Sequence, residues 1–250
     1  MISKNLVKFI RQLESKKGRL LHNFYVAEGP KVVGDLMEVT TPLRVFAVKE
    51  WWETQERLPC SNDIIVTYEE LQRLSLLQHP QQVIALFPLP QNEHPSQFEG
   101  LILALYGVQD PGNLGTIIRL ADWFGINTIV CSYGTADAWN PKVVQATMGS
   151  LAHVVISYTD LPAFLSSLSA DTPIYGTFLD GENIYNQTLT THGVIVMGNE
   201  GSGISPNVSQ HINCKLFIPS FACGCHSAES LNVAIATAIT CSEFRRRGKG

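Results

Sequence analysis

The sequence predicts an α/β protein: a large parallel sheet with helices on both faces, preceded by a small α/β domain. The 250 residues are 45% hydrophobic and 16% charged, which allows a full core and excludes a disordered or collagen-like chain. After residue 100, nearly continuous apolar runs alternate with helical patterns, as in parallel sheets covered on both faces. Between these parts, residues 87–100 hold three prolines among polar residues, which indicates a linker.

Residues 1–90 are predicted to form the small α/β domain. Its first segment, ISKNLVKFIRQLES, has apolar residues at helical spacing and predicts an amphipathic helix. FYVAEG, RVFAVK and DIIVTY then read as short strands, and YEELQRLSLL reads as a helix. Residues 91–100 are assigned to the linker.

Residues 101–250 are predicted to form the second domain. Its strands are LILALYGV, NTIVCSY, AHVVIS, PIYGTF, GVIVMG and KLFIPS, and its helical segments include GTIIRLADWFG, PKVVQATMGS and LPAFLSSLS. The last helix, SLNVAIATAITCSEFRRR, is apolar almost all round and ends in arginines, which suit the negative end of a helix. Such a helix is buried against the sheet or against a second subunit.

The net charge of −4 hides a separation of charge along the chain. Residues 1–31 carry seven Lys or Arg against two Glu, and the last six residues carry four basic side chains, whereas residues 32–244 hold 20 acidic against seven basic ones. Basic ends favour an anionic partner, although a solubilising surface explains the same charges equally well. No apolar run approaches the ~20 residues of a membrane span, and the start lacks a secretory signal, so we expect a cytoplasmic protein with no membrane partner.

Ligands of open α/β sheets bind beyond the carboxyl ends of the strands, and three loops there are candidates. The first is VQDPGNLGTIIRLADWFGI, residues 108–126, in which Asn113 is expected to cap the following helix. Arg119 then falls in an apolar helical face, where it requires an anion. A salt bridge with Asp110 or Asp122 is slightly favoured over a bound phosphate by this segment alone.

The second loop, VMGNEGSGIS at residues 196–205, places Gly198, Gly201 and Gly203 around Glu200. Glycines let the main chain approach a flat or charged ligand, and Glu200 could accept a hydrogen bond from it, but a tight structural turn explains the loop as well. Neither GxGxxG nor GxxxxGK[ST] occurs, so a dinucleotide or P-loop site is disfavoured.

The third loop, IPSFACGCHSAESLNVAIATAI at residues 218–239, leads into the last helix, which Ser230 is expected to cap with Asn232 in its first turn. Three side chains in this loop, with Cys214, could in principle ligate zinc: Cys223, Cys225 and His226. C-x-C-H without a second pair fits no common zinc spacing, so we predict no metal site.

In this order, the three loops resemble the motifs of the SpoU (TrmH-type) family of SPOUT methyltransferases, which methylate ribose 2′-hydroxyls of tRNA or rRNA with S-adenosylmethionine. Asn113, Gly115 and Arg119 match N-x-G-x-x-x-R, residues 198–203 match G-N-E-G-x-G, and Ile218-Pro219 with Ser230 to Val233 match I-P and S-L-N-V. The resemblance covers residues 101–244, and KKGRLLHNFYVAEGPKVV at 16–33 is similar, more loosely, to the family's RNA-binding extension. The loop between Pro219 and Ser230 is longer than is usual in the family.

The resemblance implies a C-terminal trefoil knot, S-adenosylmethionine as cofactor, and a homodimer whose active site forms at the subunit interface. The implied catalytic residues are Arg119, Asn113, Glu200, Ser230 and Asn232. The implied cofactor-binding residues are Gly198, Asn199, Gly201, Gly203, Ile218 and Leu231. The expected substrate is RNA, rRNA in preference to tRNA, and the basic residues expected to bind it are Lys4, Lys8, Arg11, Lys16, Lys17, Arg19 and Lys31.

Two other functions remain open on the sequence alone. One is a catalytically inactive RNA-binding or ribosome-associated protein that keeps the fold, against which the presence of every implied catalytic residue argues. The other is a nicotinamide-dependent oxidoreductase, which rests on the alternation of strands and helices and lacks the glycine fingerprint.

Overall fold

The computed structural model describes residues 2–56, 59–92, 99–221 and 229–247, without the side chain of Arg247. In chain order its elements are α1 (Lys4–Gln12), α2 (Lys16–His22), β1 (Phe24–Glu28), α3 (Pro30–Val39), β2 (Arg44–Ala47), α4 (Lys49–Trp52), β3 (Ile64–Ile65), α5 (Tyr68–Leu74), β4 (Val83–Pro88), β5 (Leu101–Leu105), α6 (Pro111–Trp123), β6 (Thr128–Ser132), α7 (Pro141–Ala146), a 3₁₀ turn (Ser150–Ala152), β7 (Val155–Thr159), α8 (Leu161–Ser166), β8 (Ile174–Asn183), a 3₁₀ turn (Ile184–Asn186), β9 (Gly193–Met197), α9 (Pro206–Ser209), β10 (Cys214–Phe217) and α10 (Val233–Arg247). None of the helices in these ranges is both long enough and apolar enough to cross a membrane.

The chain divides into two compact units, and the division differs from the predicted domains 1–90 and 101–250. The first unit is Met1–Gln91 together with Asp137–Ala152, and the second is Asn92–Ala136 together with His153–Gly250. Helix α7 packs against β1, and Val144 is buried in the core of the first unit. The sequence could not show this, because a helical segment between two strands looks the same whichever core it joins.

The first unit contains a four-stranded sheet in the order β1-β4-β2-β3. Strand β4 is antiparallel to both β1 and β2, and it includes Phe87 and Pro88, the first residues of the proline-containing stretch that indicated the linker. Proline is tolerated there because it stands at the last position of the strand. The helix predicted over residues 2–15 is present as α1, and a second helix that the sequence did not predict, α2, follows it: Ser15 begins α2 by accepting a hydrogen bond from the main-chain N–H of Gly18.

The second unit is built on a six-stranded sheet in the order β10-β8-β9-β5-β6-β7, in which every pair is parallel. Ile102 and Ala104 of β5 pack in a cluster with α8, while Leu103 and Leu105, which alternate with them, are equally buried on the opposite face. The predicted parallel sheet with both faces covered is therefore confirmed. The trefoil knot stays a prediction.

Candidate functional site

Three hydrogen-bonded side chains, which we call the polar chain, join all three sequence motifs at the carboxyl edge of the parallel sheet. Nδ2 of Asn113 donates a hydrogen bond to Oε1 of Glu200 over 2.8 Å, and Nδ2 of Asn232 donates to Oδ1 of Asn113 over 2.9 Å. Asn113 stands in the first turn of α6, Glu200 follows β9, and Asn232 directly precedes α10. The fold thus brings together three of the five residues implied to be catalytic.

The donor and acceptor of each hydrogen bond in the polar chain are fixed from both of its ends. Oδ1 of Asn232 accepts hydrogen bonds from the main-chain N–H groups of Ala234 (2.9 Å) and Ile235 (3.3 Å), so only its NH₂ group can face Asn113. Asn113 must then present its oxygen to Asn232 and its NH₂ group to Glu200, whose ionised carboxylate can only accept. The amide orientations follow from helix capping at one end and a negative charge at the other.

These contacts correct both helix caps expected from the sequence. Asp110, not Asn113, caps α6, because its Oδ1 accepts the main-chain N–H of Asn113 over 2.8 Å. Asn232, not Ser230, caps α10, and Ser230 lies exposed two residues earlier. Asp110 was missed although a signal was present, since an acidic residue directly before a proline is typical of a helix start. Capping by Asp110 leaves the Asn113 side chain free for the polar chain.

Helices α6 and α10 lie alongside one another and run in the same direction. Asn113 and Asn232 are joined at their first turns, and at the other end Arg245 donates to the carbonyl oxygens of Phe124 (2.6 Å) and Gly125 (2.8 Å). Arg245 thus donates hydrogen bonds at the carboxyl end of α6, whereas the sequence suggested only an interaction with the carboxyl end of its own helix. The positive ends of both helix dipoles therefore meet beside Glu200.

Arg119 is exposed, which corrects the expectation that it is buried and needs an internal anion. It forms no hydrogen bond or ion pair within the described ranges, because Asp110 caps α6 and Asp122 contacts Nδ1 of His153 at 3.2 Å. Arg119 follows Asn113 by six positions on α6, which corresponds to about 9 Å along the helix axis and about 120° of rotation around that axis. Its guanidinium is available to an external anion but is not hydrogen-bonded to the polar chain.

The glycine loop is a tight turn shaped by Asn199. Nδ2 of Asn199 donates to the carbonyl of Gly107 over 2.7 Å, and its Oδ1 accepts the main-chain N–H groups of Gly201 and Ser202, each at 2.9 Å. Asn199 was expected to bind cofactor, but these contacts engage both its polar atoms. Gly203 has a φ of +66°, and a Cβ placed on it would meet nothing within 4 Å, so the main chain there can be approached closely.

Ile218 and Leu231 flank the third loop, of which residues 222–228 lie outside the described residues together with Cys223, Cys225 and His226. Ile218 is half-buried and Leu231 is 48% exposed. Across the part of the chain that the structure covers, no cluster of three or more His, Cys, Asp or Glu side chains could hold a metal ion.

Most of the basic side chains expected to bind RNA are exposed on the first unit, and one is not. The exposed residues are Lys4, Lys8, Arg11, Lys16, Lys17 and Lys31. Arg19 is only 2% exposed; its Nη2 pairs with Asp137 at 2.5 Å, and its Nη1 donates to the carbonyls of Leu13 and Glu14, each at 2.8 Å. Arg19 therefore holds the first unit together, and its assignment to RNA binding is wrong.

A parallel α/β domain with these three loops belongs to the class that the motifs imply, the SPOUT methyltransferases. Residues 100–242 match the SpoU rRNA Methylase family, and the chain belongs to this family. Residues 4–85 match the MRM3-like substrate binding domain.

Similar proteins of known structure or function cover nearly the whole chain. A solved structure from Porphyromonas gingivalis, assigned to the TrmH family of RNA methyltransferases, is 40% identical, with a TM-score of 0.91 and coverage of 99% of this chain and 100% of that one. An AdoMet-bound rRNA methyltransferase from Sinorhizobium meliloti is 29% identical, with a TM-score of 0.83 and coverage of 98% and 96%. The 23S rRNA (guanosine(2553)-2′-O)-methyltransferase RlmP of Bacillus subtilis is 29% identical over 96% of this chain and 95% of its own length.

Proposed function

We propose that this protein transfers the methyl group of S-adenosylmethionine to a ribose 2′-hydroxyl of rRNA. The observation that carries the proposal is the Glu200–Asn113–Asn232 chain, which joins the three family motifs at one edge of the sheet. RlmP and the Sinorhizobium protein, both similar over nearly the whole chain, are rRNA methyltransferases, which supports rRNA over tRNA.

The glycine loop fits a flat ligand that is held by main-chain atoms. Gly203 is open on the side where a Cβ would stand, and Gly198 must lack one because it would lie 2.7 Å from the carbonyl carbon of Gly203. The main chain around Gly201, with Ile218 and Leu231 as apolar neighbours, would hold S-adenosylmethionine. When bound, this cofactor supplies an electrophilic methyl group on a sulfonium.

Arg119 supplies the positive charge on the substrate side. As the ribose oxygen bonds to the methyl carbon, the methyl–sulfur bond breaks and the hydroxyl proton must leave; a guanidinium is a poor base because it stays protonated, so the proton passes to solvent. Arg119 therefore anchors an RNA phosphate through paired hydrogen bonds and stabilises the alkoxide as it develops. Holding the hydroxyl in line supplies a further rate gain, since effective molarities reach about 10⁵ M or more.

Glu200 and Asn113 orient the ribose. Oε1 of Glu200 is occupied by Asn113, whereas Oε2 makes no hydrogen bond within the described part of the chain and can accept one from a sugar hydroxyl. Ser230, exposed two residues before Asn232, contributes a second hydroxyl contact on the same side. Because Asn113 and Glu200 are hydrogen-bonded to each other and not to Arg119, we assign them to the ribose.

The exposed basic side chains of the first unit bind the RNA backbone. The match of residues 4–85 to a substrate-binding domain supports this role. The residues assigned to it are Lys4, Lys8, Arg11, Lys16, Lys17 and Lys31. Contacts to phosphates carry no sequence information, so they position the RNA and leave the choice of nucleotide to the site.

The active enzyme is a homodimer that pairs through α6 and α10. Large apolar side chains are exposed on these adjacent helices, where Trp123 is 84% and Ile235 53% exposed, and Leu231, two residues before α10, is 48% exposed. Arg119 lies on a different face of α6 from Asn113, which supports a site completed by the second subunit. The C-terminal knot and the cytoplasmic location are likewise proposed. Light scattering tests the dimer, since Trp123→Glu would give monomers.

Transfer to ribose is tested with rRNA that lacks the modification. The protein is incubated with labelled S-adenosylmethionine and total RNA from cells without its gene, and the labelled nucleotide is mapped. We expect label on one rRNA ribose. Tight RNA binding without transfer would instead favour the inactive RNA-binding protein, and label on a base or on tRNA would contradict the proposed substrate.

A further inference from the structure

We propose that Tyr133 is a platform on which an unpaired nucleobase stacks beside the methylated ribose, so that the substrate is RNA with an unstacked base at the target. This inference rests on the proposed function and specifies the substrate of the same site. It adds a substrate-binding residue that none of the three motifs contains.

Tyr133 presents its ring at the carboxyl edge of the parallel sheet, directly after β6. The side chain is 68% exposed, although the strand that precedes it is buried from Ile129 to Ser132. Within the ranges that the structure covers, Tyr133 forms no hydrogen bond and no aromatic contact. A large ring left in solvent at this edge is available to a planar ligand.

The turn that carries Tyr133 is fixed on both sides. The main-chain N–H of Thr135 donates to the carbonyl of Ser132 over 2.9 Å, which closes a β-turn with Tyr133 and Gly134 at its centre. Oγ of Ser132 accepts the N–H of Gly107 over 3.0 Å, and Oγ1 of Thr135 donates to the carbonyl of Leu105 over 3.1 Å. Ser132 and Thr135 are 8% and 5% exposed, so these bonds are shielded from water. A rigid aromatic ring loses little entropy when it binds.

The same turn lies next to the loop that carries Glu200. A Cβ on Gly134 would stand 4.0 Å from the Cα of Gly107, whose carbonyl accepts the hydrogen bond of Asn199 over 2.7 Å. Asn199 directly precedes Glu200. Tyr133 and Glu200 are therefore separated by one intervening turn along the same edge, which suits a nucleotide next to the bound ribose.

Nucleobase stacking accounts for these features better than a hydrogen-bonded ligand does. Every base has a flat π-face, and proteins that recognise single-stranded RNA stack bases on exposed aromatic side chains. No charged residue accompanies Tyr133 in its turn, which reads Ser-Tyr-Gly-Thr. Bases within a duplex are stacked on one another, so the platform selects RNA whose bases are free.

The test compares Tyr133→Ala and Tyr133→Phe with wild type, and uses Tyr68→Ala as the matched control. Tyr68 is 54% exposed and belongs to the first unit. One probe is fluorescein-labelled oligoadenylate, single-stranded or annealed to oligouridylate, followed by anisotropy; the other is methyl transfer to unmodified rRNA. We expect Tyr133→Ala to weaken single-strand affinity and to raise the KM for rRNA by about 5- to 150-fold, the effect of one stacked base. Tyr133→Phe and Tyr68→Ala should stay within about twofold, because neither removes the stacking ring.

The outcomes separate this inference from the proposed function. If wild type methylates rRNA and Tyr133→Ala matches it in both assays, the platform is refuted and the function stands. If wild type transfers no methyl group but Tyr133→Ala still loses single-strand affinity, the function is wrong and the platform stands. Equal losses with single-stranded and annealed oligoadenylate would also refute the platform, because stacking requires a free base.

Discussion

Replacing Asn232 by Asp should reduce methyl transfer without unfolding the protein. The change preserves shape and turns the one NH₂ group that faces Asn113 into an oxygen. That oxygen would lie 2.9 Å from Oδ1 of Asn113, so two acceptors would face each other. If Asn113 turns its amide over to avoid this contact, its oxygen then faces Oε1 of Glu200 at 2.8 Å. Either orientation breaks one of the two hydrogen bonds of the polar chain.

The size of the effect follows from which link is lost. A hydrogen bond to a charged group contributes about 1.5–3 kcal/mol, and exposure of Glu200 and Asn232 to solvent reduces this to about 1–2 kcal/mol. If the loss falls on the transition state, kcat/KM decreases about 5- to 30-fold. Asp caps helices as well as Asn does, so the free energy of unfolding should change by less than about 0.5 kcal/mol.

The assay measures kcat/KM with unmodified rRNA and, in parallel, urea unfolding of each variant. Asn207→Asp is the matched control, because it makes the same chemical change at an exposed position in α9. Wild-type activity in Asn232→Asp would refute the reasoning that the hydrogen bonds of the polar chain position Glu200. Equal losses in Asn207→Asp would point to added negative charge rather than to the broken link.

Three further predictions concern the first unit. Lys16→Gln combined with Lys17→Gln should weaken RNA binding and make the slope of log affinity against log salt shallower by about 2, as measured by anisotropy; an unchanged slope would remove these lysines from the RNA surface. Arg19→Met should lower the free energy of unfolding by about 3–5 kcal/mol in urea, because it leaves Asp137 as a poorly solvated charge, and it should leave that salt slope unchanged. Burial raises the pKa of Glu28 above its usual range, so the native state keeps this proton to higher pH than the unfolded chain does. The free energy of unfolding should accordingly fall as pH rises from about 4.3 through the raised pKa, and Glu28→Gln should abolish that slope; an identical slope in the variant would assign it to other groups.

The parallel sheet, and the position of the three motif loops at one of its edges, could be predicted because both follow from local sequence patterns. Buried parallel strands are apolar along their whole length, and their carboxyl ends share one edge, so loops after β5, β9 and β10 had to approach one another. The partners of individual polar side chains could not be predicted in this way. Whether Asp110 or Asn113 caps α6 depends on a difference of three residues in where the helix begins.

Burial of charge was the hardest property to predict. Arg19 stands between exposed lysines in the sequence, and it is buried only because Asp137, 118 positions later, joins the first unit. The prediction for Arg119 was wrong in the opposite direction: apolar residues precede it on α6, which suggested burial, but its side chain faces solvent. Helical spacing identifies a face, but it does not show what covers that face.

The central claim is that the guanidinium of Arg119 acts on the ribose while a separate glycine loop holds the cofactor. The most direct test measures methyl transfer to unmodified rRNA by Arg119→Ala at saturating S-adenosylmethionine, with cofactor affinity determined by calorimetry. We expect transfer to fall by at least about 10²–10³-fold while cofactor affinity stays at the wild-type value. Transfer at the wild-type rate, or loss of cofactor binding in the same variant, would contradict the account.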